Sequence, residues 1–400
     1  VWNVEQSGTD DFTVAYEVDQ QVKEGEQTQA VTENYTVTVH VDKDGAMVIT
    51  QNPTLAPSVQ KSKYEPKVQE AAVAGVSVST VSRVLNGKSY VNEETRRIVT
   101  EAIRKTNYQP NALAQSLKMG RSNTICLMIP SIENLMFPKL TRGVEDEARK
   151  NGMTVFLCNT DEDAAIEKSY LETMKQRWID GFIVCSLSSD APHIRSLRDE
   201  GYPLVLVNRF EESDIGKVDT VTSDNFQIGY DATRYLARIG HKRIAIVCGR
   251  EELLLYRERL RGYRKALADS GLPEREEYLL RESGGSNGFY YQIRELAEQG
   301  QLPDAIFCTS DPKAFVVMHA LHDMGLRIPE DVAVIGVDNV SMSAMVEPPL
   351  STITQHLYDM GMEAAKSLIR QLEYKDKYGE LPKPQRMIMN SDLIVRRSTK

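Results

Sequence analysis

The chain has 400 residues, 41% hydrophobic and 26% charged, and carries a formal net charge of -9. That length exceeds what one hydrophobic core usually organises, so more than one domain is expected, and the composition excludes a mainly disordered or fibrous chain. No uncharged apolar run approaches the roughly 18 residues a membrane span needs, and residues 1–30 lack the basic end, apolar centre and cleavage site of a signal peptide, so neither insertion nor export is expected.

Residues 12–50 alternate as half-buried strands do, at Phe12 to Val18, Tyr35 to Val41 and Ala46 to Ile49, with Lys43-Asp44-Gly45 as a hairpin turn between the last two. Three strands without a helix make too small a core to stand alone, so residues 1–50 read as part of a domain. Residues 51–66 hold three prolines and small polar residues and read as a linker. Residues 1–66 carry 4 lysines against 11 acidic residues, whereas residues 67–122 carry 9 basic residues against 4 glutamates. A compact basic segment inside an acidic chain is the electrostatic footprint of a nucleic-acid-binding module, although a solvated face has the same composition.

From residue 67 the period becomes helical. A first helix runs from about Lys67 to Ala74 and is closed by Gly75; a second starts at the N-cap Ser77; a third follows Asn92, with Glu93 and Glu94 at its positive end. Helix, glycine turn, helix is the helix-turn-helix pattern. In the second helix Val76, Val81, Val84 and Leu85 can face a core, leaving Val78, Ser79, Ser82 and Arg83 on the face that can enter a major groove.

Beyond Thr124, apolar runs of strand length alternate with amphipathic helices: Ile125 to Ile129, Thr154 to Cys158, Phe182 to Cys185, Leu204 to Val207, Ile244 to Val247, Ala305 to Cys308 and Val332 to Val337. Such runs imply buried parallel sheets, and about 275 residues suit two doubly wound lobes with ligand at the carboxyl ends of the strands. Asn159-Thr160-Asp161, Asn208-Arg209, Ser310-Asp311 and Asp338-Asn339 follow strands directly. The five cysteines, Cys126, Cys158, Cys185, Cys248 and Cys308, form no CxxC and sit in apolar runs, which fits free thiols in a reducing cytoplasm. His319 and His322 stand at i, i+3 with no third ligand nearby, so no metal and no cofactor are expected.

Gly75 through Gly87, then Tyr90-Val91-Asn92-Glu93-Glu94-Thr95-Arg96 and Asn107-Tyr108-Gln109-Pro110-Asn111-Ala112-Leu113-Ala114, resemble the DNA-binding head of the LacI/GalR family of transcriptional regulators. The resemblance continues over about residues 68–397, through Gly240-His241, Arg259-Leu260-Arg261-Gly262-Tyr263, Gly336-Val337-Asp338 and Pro349-Leu350-Ser351-Thr352-Ile353. It implies a helix-turn-helix head at 67–110, a hinge helix and linker at 111–123, and an α/β periplasmic-binding-protein-like core of two lobes at 124–400. The N-terminal β stretch resembles a piece of the NTF2-like domain of a conjugative-element membrane protein.

By the same resemblance Val78, Ser79 and Arg83 read bases, and Ser77, Thr80, Ser82, Asn86 and Asn92 contact phosphates. Asn111 starts a hinge helix whose Leu117 wedges into the minor groove. Asn134 and Phe137 match the loop after the first core strand, where Leu135 and Met136 depart from the family's more aromatic run. Arg209, Asp224, Arg259, Ser310, Asp311, Asp338 and Gln355 match positions lining the interlobe cleft, a set suited to a polyhydroxylated ligand. Gln69 and Glu70 replace the family's aspartate and buried valine in the first helix.

The reading is therefore a cytoplasmic homodimeric repressor of a double-stranded DNA operator, controlled by a small carbohydrate-like effector, without membrane attachment or catalysis. Two alternatives stay open: a solute-binding protein of the same core, and a fusion product with impaired DNA binding. Neither GxxxxGK[ST] nor GxGxxG after a strand is present, and Gly284 to Gly288 is a weak match, which argues against nucleotide chemistry. If Arg83 reads a base, Arg83→Ala should cost roughly 1 to 3 kcal/mol at one operator position, whereas Asn92→Ala should weaken all duplexes alike. Binding titrations over single-base operator variants check this, and equal profiles for the two substitutions would remove the assignment.

Overall fold

A computed structural model of the chain describes residues 3–6, 11–24, 27–41, 47–49, 73–85, 91–106, 121–177, 179–185, 191–282 and 288–400, with backbone alone before residue 73 and at 78, 82, 85 and 106. The chain divides into two compact units, Val1–Asn111 and Ala112–Lys400. The linker at 51–66, Gln69, Glu70, Asn86, Asn111 and Leu117 lie outside the described residues, as do the side chains of Val78 and Ser82.

In the first unit, β1 (Asn3–Gln6), β2 (Asp11–Glu24), β3 (Gln27–Val41) and β4 (Met47–Ile49) form an antiparallel sheet in that order. The expected pairing of the last two strands is present, with Val41 opposite Met47. The longer β2–β3 ladder, from Asp11 opposite His40 to Glu24 opposite Gln27, extends well past the strand ends read from alternation. Residues 19–34 are mostly polar, so a ladder held by backbone hydrogen bonds left no apolar period to detect. Two helices follow, α1 (Val78–Leu85) and α2 (Glu93–Thr106). Ala74, Val81, Val84, Val99 and Ala102 make their small core.

The second unit contains two sheets. One has the order β15-β9-β8-β7-β5-β6, from β5 (Thr124–Ile129), β6 (Thr154–Asn159), β7 (Gly181–Val184), β8 (Leu204–Val207), β9 (Asp219–Ser223) and β15 (Arg386–Met389). The other has the order β11-β10-β12-β13-β14-β16, from β10 (Ile244–Cys248), β11 (Leu279–Arg281), β12 (Ala305–Cys308), β13 (Ala333–Asp338), β14 (Ser351–Thr354) and β16 (Asp392–Ile394). Only the β14–β16 pairing is antiparallel in these two sheets.

Helices cover both faces of each sheet because consecutive strand residues point to opposite sides. Ile125, Leu127 and Ile129 pack under α3 (Met136–Lys150) and α10 (Leu357–Tyr378), while Cys126 and Met128 pack toward α4 (Ala164–Gln176) and α5 (Pro192–Asp199). In the second lobe α6 (Asn225–Arg238) and α7 (Leu254–Asp269) share a core with Phe307, and α8 (Gly288–Glu298) and α9 (Asp311–Asp323) share one with Ile306 and Cys308.

The β6 run was expected to be buried and is not. It is an edge strand, with Phe156 45% and Leu157 38% exposed, because strand order rather than composition decides which apolar run closes a sheet. The chain passes between lobes three times: from β9 to α6, from β14 to α10, and from β15 to β16.

Each lobe holds one helix pair at backbone contact. A Cβ on Gly143 would stand 2.0 Å from the Tyr358 carbonyl oxygen, and one on Gly229 would stand 2.0 Å from that of Arg259. Gly143→Ala must therefore push α10 off α3, and overpacking of this kind costs about 1 to 3 kcal/mol. Urea unfolding should show a lower midpoint; an unchanged midpoint would mean that the helices separate without loss.

Candidate functional site

In the head, Gly75 turns the chain at φ 65° after the helical residues Val73 and Ala74, a conformation glycine adopts without Cβ strain. The Ser77 hydroxyl accepts from the Thr80 amide at 3.2 Å and so caps α1. The Asn92 carboxamide oxygen accepts from the Thr95 amide at 2.7 Å and caps α2. Both side chains thus orient the helices. Val81 and Val84 are buried on one side of α1, while Ser79 and Arg83 are exposed and Thr80 is half-buried. The expected burial of Val81 and Val84 is present, and Ser79 and Arg83 lie on the exposed side of the helix.

The second candidate site lies where the carboxyl ends of the two parallel sheets face each other. Among the described residues the lobes are joined there by Arg250 Nη2 to Glu162 Oε2 at 2.9 Å and Lys139 Nζ to the Asn339 carbonyl at 2.9 Å, and by an ion pair of Arg257 Nη2 with Glu211 Oε2 at 3.6 Å. Arg259 is 2% exposed; its Nε donates to Asn225 Oδ1 at 2.9 Å and its Nη1 to the Thr309 carbonyl, while Nη2 has no partner. Asp338 sits at φ 118° at the end of β13 and accepts from Gln355 Nε2 at 2.6 Å. Gln355 Oε1 and Asn208 Oδ1 are buried without partners. Unmatched donors and acceptors in a buried setting are costly, and a ligand rich in hydroxyls would satisfy both kinds.

Not every residue assigned to the cleft faces it. Asp311 is wholly buried, with Oδ2 accepting from the Val340 amide and the Ser343 hydroxyl and Oδ1 from the Thr352 hydroxyl at 2.7 Å. Its oxygens are spent on tying α9 to β13 and β14, and Gly336 leaves the room, since a Cβ there would lie 2.2 Å from Asp311 Oδ1. Asp224 is exposed and caps α6 through the Gln227 amide at 2.9 Å. Asn134 accepts from the Met136 amide at 3.1 Å at the start of α3. Phe137 belongs to the core of the first lobe, with the Arg209 guanidinium 5.9 Å from its ring centre. Ser310 is 9% exposed, beside Thr309. Arg209, Arg259, Asp338 and Gln355 thus form the polar centre, joined by Asn208, already noted at the end of its strand, and by Asn225, Glu162, Arg250, Tyr256 and Lys313, which the sequence did not single out. Arg250 could have been found, since it follows the apolar strand β10 as Arg209 follows β8. Lys313 carries no such signal.

Burial pushes Asp338 up to about 6, against the pull of Arg259, Gln355 and Lys313. Burial and the charge of Asp338 push Asp311 up to about 7, against its three donors. His319 stays on the surface beside Asp323, and among the described residues no group of three metal-ligating side chains occurs.

A helix-turn-helix head and a two-lobed core with a polar cleft define a DNA-binding regulator controlled by a small ligand. Residues 71–111 match the family described as bacterial regulatory proteins, lacI family, and residues 122–387 match periplasmic binding proteins and the sugar-binding domain of the LacI family. The chain belongs to the LacI family of bacterial regulators. It is 35% identical to catabolite control protein A of Priestia megaterium over 75% of this chain and 90% of that protein. It is 31% identical to the transcriptional repressor PurR of Actinobacillus pleuropneumoniae over 82% of this chain and 97% of that protein. Among solved structures, a complex of the regulator CelR with cellobiose covers 84% of this chain and all of its own, at 29% identity and a TM-score of 0.64. The lac repressor dimer on its operator shares the fold at 24% identity and a TM-score of 0.72, over 82% of this chain and 97% of that chain.

The cleft carboxyls make stability depend on pH. Between about 4, where a free aspartate ionises, and about 6, Asp338 keeps its proton in the folded chain and loses it in the unfolded one, so its contribution to stability falls as pH rises through that window. Asp338→Asn keeps an acceptor for Gln355 and removes the proton. The variant should lose less stability than the parent between pH 4 and 7, by an amount on the order of 1 to 3 kcal/mol. Calorimetric melts at several pH values check this, and parallel profiles would place the titration elsewhere.

Proposed function

We propose that this regulator is a repressor that binds a near-palindromic operator as a homodimer and changes its operator affinity when a carbohydrate-like ligand occupies the interlobe cleft. The observation that carries the reading is the convergence of Arg259, Asp338, Gln355 and Asn208, with a donor and two acceptors left open in a buried cleft. The cellobiose in the similar CelR structure supports the same ligand class. The exposed apolar pair Phe156 and Leu157 on edge strand β6 is the surface we assign to the dimer, and a two-fold dimer presents two heads to two half-sites. Five free, buried cysteines support a reducing cytoplasm as its location. The chain works by binding rather than catalysis, as its relatives' regulatory names suggest. A solute-binding protein would have no use for the head matched at 71–111.

The test has two stages. A thermal-shift panel of sugars that includes cellobiose identifies a ligand, since one present at 100 times its dissociation constant adds about 2.7 kcal/mol. Operator titrations with and without it should then differ by about 1 to 3 kcal/mol of coupling. Arg259→Lys, which keeps a buried cation but loses the fork of donors, should diminish that difference while leaving ligand-free operator binding near the parent's; an undiminished response in the variant would move the ligand out of the cleft.

A further inference from the structure

Two of the five cysteines face each other. Cys126 Sγ donates to Cys158 Sγ at 3.6 Å, from the adjacent parallel strands β5 and β6. The other three stand apart: Cys185, Cys248 and Cys308 each lie in a different apolar cluster that holds no second cysteine, whereas Cys126 and Cys158 share one with Met128 and Leu171. The hydrogen bond makes the paired sulfurs unequal. It holds the Cys158 thiol below its usual range, against burial, and it raises that of Cys126, which burial raises further. Burial pushes Cys185 and Cys248 up to about 12. Because the thiolate is the nucleophile, Cys158 is the reactive member of the pair and Cys126 stands within reach to complete a bond.

The strand that carries Cys158 has room to move. β6 closes its sheet, so one ladder alone holds it, and its neighbours in sequence, Phe156 and Leu157, are exposed. An edge strand of this kind opens locally more easily than a central one, which admits a small reagent to a buried thiol. In the β5–β6 register Cys126 stands opposite Phe156, and Cys158 stands opposite Met128, two residues further on. A disulfide brings its sulfurs to about 2 Å and its two backbones close together. Closing one between these positions therefore requires β6 to shift along β5, and the shift carries Phe156 and Leu157 with it.

We propose that Cys126 and Cys158 are an oxidant-sensitive dithiol, which a hydroperoxide converts to a disulfide, and that the accompanying shift of β6 weakens the dimer. The second half rests on the dimer surface assigned to Phe156 and Leu157. In the first step the Cys158 thiolate attacks a peroxide oxygen and the O–O bond breaks. The sulfur becomes a sulfenic acid, and the departing alkoxide takes up the proton Cys158 released, leaving as an alcohol. In the second step the Cys126 sulfur attacks that of Cys158, the S–O bond breaks, and the hydroxide leaves as water with the Cys126 proton. The two sulfurs together give up two electrons and the peroxide receives them. A bond closed across two displaced strands is under tension, so a thiol reductant readily restores the pair.

The test exposes the reduced full chain to hydrogen peroxide without denaturant, alkylates the remaining thiols in denaturant and reads the peptides by mass spectrometry. The expected result is the loss of two thiols out of five, a peptide pair joined through Cys126 and Cys158, and recovery of both thiols with dithiothreitol. Sedimentation should show a dimer dissociation constant at least tenfold higher for the oxidised chain than for the reduced one. Cys158→Ser should form no disulfide and should dimerise alike with and without peroxide; the parent's own peptides decide the pairing if that variant fails to fold. Five free thiols after peroxide, or a disulfide that spares this pair, would overturn the dithiol. A Cys126–Cys158 bond with unchanged dimerisation would overturn its coupling to β6. A reduced chain that stays monomeric at every concentration would remove the dimer surface, and the coupling with it, while the peptide masses still decide the dithiol.

Discussion

A guanidinium taken out of water governs the second unit. Arg259 is 2% exposed, and burial of that charge works against its protonation. A buried charge persists only where hydrogen bonds and opposite charge replace its water. Asn225 and the Thr309 carbonyl supply the bonds, and Asp338 supplies the charge. Each stands at a strand end or helix start, so the strands must stop in register and the helices must begin there. Gly229 and Gly262 permit this by letting α6 and α7 meet at backbone distance, a Cβ on Gly262 falling 2.1 Å from the Phe226 carbonyl oxygen. The buried cation, the helix pair and the strand register are one arrangement.

The three passages of the chain between lobes make that arrangement responsive. Asn225 follows the first passage and Gln355 lies in the second, so two groups at the polar centre are also joints between the lobes. His356, next to Gln355, stands at φ 50° and begins α10, which packs on the first lobe although the strand before it belongs to the second. A ligand that satisfies Gln355 and Arg259 therefore acts on the backbone where the lobes turn against each other. Hinge positions are commonly such element ends, and a ligand can shift the equilibrium only by its preference for one arrangement.

Asp311 and Asp338 show how alike two residues can look in a chain and how differently they serve. Both follow an apolar strand and both match the family's pattern. Asp311 finds three donors from α9's neighbours and becomes part of the frame, whereas Asp338 keeps one partner and faces the open atoms of the cleft. Asp224 likewise satisfies its oxygen on the Gln227 amide. Aspartate after a strand is suited equally to capping and to binding, and only the donors brought near it by other segments choose between them.

Local patterns in the chain were enough for the helix-turn-helix, because Gly75, Ser77 and Asn92 act within a few residues of themselves and valines at helical spacing mark the buried face. They were also enough for the buried strands and for two α/β lobes, since continuous apolar runs between helices have few other uses. Strand order was not legible, and with it went the exposure of Phe156 and Leu157, the placement of α10 on the first lobe, and the polar β2–β3 ladder. Nor were Glu162, Arg250 and Lys313 recognised as neighbours of Arg209 and Arg259. Secondary structure and capping are settled by residues close in sequence, whereas a binding cleft is settled by which distant strand ends the fold brings face to face, and that depends on the packing of whole lobes.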